Sequence, residues 1–209
     1  MIVFCLFYVI DGDHFCWSIA GYAAPKLRKL ADKIAASGFF VVVPDFFYGD
    51  PLHENVEKPL PVWLKSHGWD KGFEDAKLVI AAMKSQGINA VGAAGFCWGA
   101  KVIVQLAKTD YIRAGVMLHP SFVTADELKD FEVPVAILGA EVDKYCPPEL
   151  LKEFEDVLSS KSEVNSFVKM FPGTKHGWTV RYREEDEFDV KSAEEAHKDM
   201  LAWFTTHVK

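Results

Sequence analysis

Gly95-Phe96-Cys97-Trp98-Gly99 sets a thiol between two glycines. This is the Gly-x-nucleophile-x-Gly spacing of a sharp turn from strand into helix that lifts one side chain clear of the backbone. With 14 Gly and 4 Cys in 209 residues, the pattern should arise in only about 2% of shuffled chains of this composition. A thiol at such a turn suits nucleophilic attack on an acyl carbon, provided a base takes its proton and a third group orients that base.

The rest of the chain supplies both groups in the order nucleophile, acid, histidine. Asp143 follows a predicted strand at residues 133–138, and His176, in His176-Gly177-Trp178, follows one at residues 166–171. Glu141 competes with Asp143 for the acid, and His119 competes with His176 for the base. Asp143 is favoured as acid; His119 precedes the acid in the chain and adjoins Pro120, a place better suited to lining the pocket than to acting as base. His14, His53, His67, His197 and His207 read as surface or loop residues, and no histidine makes a metal-binding spacing with a second ligand. The chemistry requires no cofactor. For the developing oxyanion, the elbow offers the backbone N–H of Trp98, and the loop near Ile19 should supply a second donor. Phe46, Tyr48 and Trp178 lie near predicted strand ends and could wall an apolar substrate.

These residues must be held by regular elements, and the pattern provides them. Residues 88–94 are small and apolar enough for a buried strand, and residues 100–108 run without Gly or Pro as a helix. Pro25 opens a helix with Leu27, Leu30, Ala31 and Ile34 on one face, closed by Ser37-Gly38. An apolar strand at residues 39–44, a Pro-rich loop at 48–68 and a helix carrying Phe73, Ala76, Ile80 and Met83 follow. Beyond the elbow come a strand at 114–118, a helix carrying Leu150, Leu151, Phe154 and Leu158, and a final helix carrying Ala193, Ala196, Met200, Trp203 and Phe204. The alternation predicts an α/β fold: a doubly wound, mostly parallel sheet with helices on both faces and the site at the carboxyl ends of its strands.

Composition narrows the function. Half the residues are hydrophobic, enough for one core, and the length predicts a single domain over residues 1–209. A net charge of -7 without a basic stripe argues against a nucleic-acid partner. Cysteines at 5, 16, 97 and 146 show neither disulfide-scaffold density nor zinc-type spacing, which predicts reduced thiols in the cytoplasm. The apolar run at residues 2–10 is too short to span a bilayer and lacks the basic region and cleavage site of a signal peptide, so it reads as a core strand and no membrane partner is expected.

From about Gly21 onward the chain resembles the dienelactone hydrolase family, in its plant-like branch. The strings that carry the resemblance are Ala24-Pro25-Lys26-Leu27-Arg28, residues 43–51 (Val-Pro-Asp-Phe-Phe-Tyr-Gly-Asp-Pro), the Cys97 elbow and His176-Gly177-Trp178. The resemblance implies an α/β-hydrolase fold and a Cys-His-Asp hydrolase of lactones or other small-molecule esters, with Cys97, His176 and Asp143 in the three roles. It also implies an arginine that binds a substrate carboxylate, for which Arg181 is the nearest match. The first twenty residues diverge, and the family's leading strands are atypical or missing: Ser18-Ile19-Ala20-Gly21 stands where the family has an acidic residue and a hydrophobic-Phe-Gly sequence. Two other functions compete: a β-glucanase, a name some plant proteins of this branch carry, and a binding protein that keeps the pocket with impaired catalysis. Because one oxyanion donor is expected near Ile19, this chain should turn over lactones more slowly than one with a family-like strand and acidic turn grafted before residue 21, by about a hundredfold if that donor is lost. Equal turnover of two stably folded proteins would dismiss the effect.

Overall fold

In the computed structural model the described residues are 2–7, 21–52 and 59–208. Among the described residues six strands form one sheet: β1 (Ile2–Phe7), β2 (Phe40–Val42), β3 (Val91–Phe96), β4 (Ala114–Leu118), β5 (Val135–Val142) and β6 (Ser166–Lys175). Their spatial order is β2-β1-β3-β4-β5-β6, and every neighbouring pair is parallel. The expected core strand at residues 2–10 is present over Ile2–Phe7, between β2 and β3; the remainder of that run lies outside the described residues.

Alternation along the strands explains the two layers. Val91 and Ala93, Met117, and Val135 and Ile137 turn to one face; Ala94 and Phe96, Val116 and Leu118, and Ala136 and Leu138 turn to the other. The first face is covered by α3 (Trp69–Ser85), α4 (Trp98–Leu106) and α5 (Pro148–Ser159) through Ile80, Val102, Ile103, Leu151 and Phe154. The second is covered by α1 (Pro25–Ala36) and α7 (Glu187–His207) through Leu27, Leu30, Ile34, Met200 and Phe204. Both faces being buried, the central strands read as continuous apolar runs rather than as alternating ones.

Three elements differ from expectation. The loop at 48–68 contains a helix, α2 (Leu60–Ser66), started by Pro59 and Pro61, which suit a first turn because their missing N–H groups would have had no intrahelical partner. Strand β6 runs through Pro172 to Lys175, possible because it is an edge strand. The segment after His176 is not all loop: α6 (Trp178–Arg181) makes one turn there.

Since the strands are parallel, their carboxyl ends lie along one edge, and Cys97, His119, Asp143 and His176 each follow a strand at that edge. Gly95 is needed there, because a Cβ on it would overlap the carbonyl group of Gly99, the second residue of α4, and press on Ile103. Backbone cannot give way as a flexible side chain can. Gly95→Ala should therefore cost about 3 kcal/mol, the upper end for overpacking a core, read as a fall in the urea midpoint. A midpoint equal to the parent's would show that β3 and α4 are not in this close contact.

Candidate active site

Cys97 caps the junction between β3 and α4 with φ +52° and ψ -110°, a region costly for a residue with a Cβ. Three hydrogen bonds to the backbone hold it there: its N–H donates to the Leu118 carbonyl at 3.1 Å, and its carbonyl accepts from Ala100 at 3.1 Å and Ser121 at 3.2 Å. The side chain is buried and stands at the amino end of α4, where the aligned peptide dipoles favour a thiolate. The thiol lies 3.2 Å from the Ser121 hydroxyl.

Asp143 and His176 meet across the carboxyl ends of β5 and β6. His176 Nδ1 lies 2.6 Å from Asp143 Oδ2, and the carboxylate is fully buried. The acid's other oxygen accepts from the backbone N–H groups of Tyr145 at 2.8 Å and Cys146 at 3.3 Å, so both oxygens have partners. Glu141, the rival acid, instead accepts from the Gly173 N–H at 2.6 Å and is exposed. His176 Nε2 is buried beside the Cys97 sulfur. Burial disfavours the imidazolium, but the neighbouring Cys97 sulfur and the Asp143 carboxylate outweigh it and raise the group to about 9. A thiolate and an imidazolium therefore favour each other here.

His119, the rival base, has the opposite electrostatics. It is wholly buried, and burial together with the positive charges of His176 and Arg181 holds it well below the usual imidazole range. Its Nε2 lies 2.9 Å from Thr179 Oγ1, and its ring packs edge-on against His176 at 4.9 Å, Trp178 at 5.4 Å and Phe96 at 5.8 Å. It backs the His176 ring as a neutral group.

The other expected site residues fall in different places. Trp98 follows Cys97 at the first helical position, where a backbone N–H has no intrahelical acceptor. Trp178 is buried against His119 and Phe171. Phe46 is buried and tilted against Trp98 at 6.3 Å. Tyr48 is on the surface, its hydroxyl donating to Asp75 at 2.7 Å and its ring covered by Lys71. Arg181 Nη2 donates to the His176 carbonyl at 2.9 Å. Ile19, His14 and His53 lie outside the described residues.

Two histidines expected at the surface or in loops are buried. His67 stacks on Trp63 at 4.4 Å. His197 donates from Nε2 to the Thr179 carbonyl at 2.8 Å, and burial lowers it to about 4, so it stays neutral. Sequence reasoning missed Ser121, Tyr145 and Phe122. Tyr145 packs 5.1 Å from the His176 ring, and Phe122 joins Tyr145 to Trp69. The available signal was their place just beyond β4 and β5, at the edge where parallel sheets gather their sites. Among the described residues no group of His, Cys, Asp or Glu is arranged to hold a metal, and no helix is long and apolar enough to cross a membrane.

Because burial is the largest influence on His176 and acts downward, removing the sulfur's charge should let the imidazole fall from about 9. A side-chain NMR titration of Cys97→Ala should therefore place His176 clearly lower than in the parent. An unchanged titration would mean that Cys97 does not act on this ring.

Comparison with known proteins bears on the fold and the family. The model of the dienelactone hydrolase family matches residues 17–208. A maize protein named endo-1,3;1,4-beta-D-glucanase is 43% identical over 146 residues, 70% of this chain and 47% of that one, so this chain spans about half of that relative's length. The mouse carboxymethylenebutenolidase homolog is 32% identical over 198 residues, covering 91% of this chain and 80% of its own. Among solved structures, a Klebsiella pneumoniae protein assigned as a dienelactone hydrolase superposes with a TM-score of 0.74 over 99% of this chain and 86% of its own, at 20% identity, a likeness of α/β-hydrolase fold. The doubly wound parallel sheet, the elbow at its centre and the match over residues 17–208 place this chain in the dienelactone hydrolase family.

Proposed function

We propose that residues 1–209 form one thiol-dependent hydrolase domain acting on carboxylic esters or lactones, with Cys97 as nucleophile, His176 as acid and base, and Asp143 orienting the imidazole. The observation that carries this is the 2.6 Å contact of Asp143 with His176, whose other nitrogen is buried beside the Cys97 sulfur. The Cys97 thiolate attacks the acyl carbon, and the carbonyl π electrons move onto oxygen, beside the Trp98 N–H. Collapse expels the alkoxide, which takes the proton from His176 Nε2; in a lactone this alcohol stays tethered to the acyl group. Neutral His176 then takes a proton from water as its oxygen attacks the thioester. The second collapse releases the acid and restores thiolate and imidazolium. The buried Asp143 carboxylate keeps the ring oriented and stabilises its charge.

The maize relative's name raises glycoside hydrolysis as a second reading. Such enzymes ordinarily need two carboxyl groups flanking the glycosidic bond. Asp143 has both oxygens engaged by His176 and by backbone N–H groups, and Glu141 is turned to Gly173. Acyl transfer uses the residues as they stand. A binding protein with impaired catalysis remains the non-enzymatic counterpart, separated from both by the assay below. The cytoplasmic location is proposed from the low density and spacing of the four cysteines.

On a small activated ester, Cys97→Ala and His176→Ala should each lose at least about a thousandfold in turnover, with the double variant little worse, since the groups act as one unit. Asp143→Asn should lose less than Cys97→Ala. Activity that survived His176→Ala but vanished in His119→Ala would reverse the base assignment. Release of sugar from mixed-linkage β-glucan, with no ester cleavage, would favour the glucanase reading.

A further inference from the structure

We propose that Ser121 is a built-in hydrogen-bond partner of the Cys97 sulfur, donating its hydroxyl proton to the thiolate and fixing where that sulfur rests between turnovers. The inference depends on Cys97 being the nucleophile. Ser121 Oγ lies 3.2 Å from Cys97 Sγ, and both residues are fully buried. A buried hydroxyl is costly to leave without a partner, and the Cys97 sulfur supplies one to Ser121. The backbone holds it there as well, because the Ser121 N–H donates to the Cys97 carbonyl at 3.2 Å.

The segment is shaped for this purpose at some cost. His119 and Phe122, which bracket Pro120 and Ser121, both have positive φ, 38° and 62°. Neither is glycine, and such backbone persists only where its surroundings determine it. Here the surroundings are the His119 N–H donating to the Leu138 carbonyl at 2.8 Å, the His119 ring on Thr179, and the Phe122 ring stacked on Trp69. The result carries one short hydroxyl side chain from the end of β4 to the nucleophile beyond β3.

Charge decides the direction of the bond. In the thiolate–imidazolium pair the sulfur can only accept, so there Ser121 donates. Among the described residues, the other charged or titratable groups about the Cys97–His176 pair include Asp143 from the loop after β5, Tyr145 beside His176, neutral His119 from the loop of Ser121 itself, and Arg181 from α6. Lys101 of α4 is committed to Glu127 at 2.5 Å. Ser121→Ala removes a donor and leaves all of these in place.

The test is the pH dependence of Cys97 alkylation by iodoacetamide, mapped by peptide and compared among the parent, Ser121→Ala and Ser121→Thr, with thermal unfolding to verify that each is folded. Loss of the donor should raise the alkylation midpoint by about one pH unit, as expected for one hydrogen bond to the charged form. Threonine, which restores the hydroxyl, should bring the midpoint back toward the parent's. Cys146, pushed up to about 12 by burial and by Asp143, serves as the unreactive reference thiol. A folded Ser121→Ala with the parent's midpoint overturns the inference while leaving Cys97 as nucleophile, and so does a threonine variant shifted as far as alanine. A parent in which Cys97 is not alkylated at any pH overturns the nucleophile assignment itself, and this inference with it.

Discussion

The left-handed backbone at Cys97 is the constraint around which the centre of the molecule is arranged. A non-glycine residue at φ +52° costs about 1–3 kcal/mol. It persists because the chain on either side has nowhere else to go. Gly95 lies against Gly99 so closely that no side chain fits between strand and helix, and Ile103 of α4 fills the space over both Gly95 and Gly115. On the opposite face, Phe204 and Val208 pack onto Gly92. The small residues of β3 are therefore a packing requirement: helices approach the central strand from both sides, and the close approach holds the elbow shut.

A second strained turn leans on the first. The loop after β4 has positive φ at His119 and Phe122 and is bonded through Ser121 to the carbonyl of Cys97. Two adjacent imidazoles show how the same interior gives opposite electrostatics. His119 and His176 are both buried, with ring centroids 4.9 Å apart. One is held well below the usual range and the other is raised to about 9, because only His176 has a carboxylate and a sulfur to share its charge. His119 has a threonine hydroxyl and two positive neighbours, so it can support the His176 ring without competing for its proton.

Much of this was legible in the residues. Alternating apolar strands and helices with one-sided stripes gave the sheet and its layers, since both signals depend on burial, which shapes composition locally. The elbow, Asp143 and His176 were legible because each follows a strand directly. Helix α2 was hidden by the prolines that start it, which resemble loop residues until their place in a first turn is known. Ser121 was hidden for a different reason. Its importance comes from a contact across two neighbouring strands with a residue 24 positions away, and its place just beyond β4 marks it no more than its neighbours. The burial of His67 and His197 was equally invisible, because a histidine stacked on Trp63 or bonded to a carbonyl looks in sequence like any polar residue on a helix or loop.

The string His176-Gly177-Trp178 shows how a short motif can be several constraints superposed. His176 must leave β6 and turn back toward Cys97, and Gly177 makes that turn at φ +88°, a region glycine enters without strain. The same glycine lacks a side chain for a second reason: a Cβ there would fall within the Arg181 guanidinium, which folds back over it to donate to the His176 carbonyl. Trp178 then opens the single turn of α6, packs its ring on His119 and Phe171, and places Thr179 between His119 and His197. Replacing Gly177 would strain the turn and displace the arginine together. The three residues thus have one physical task, holding the imidazole from its backbone side while Asp143 holds it from the ring.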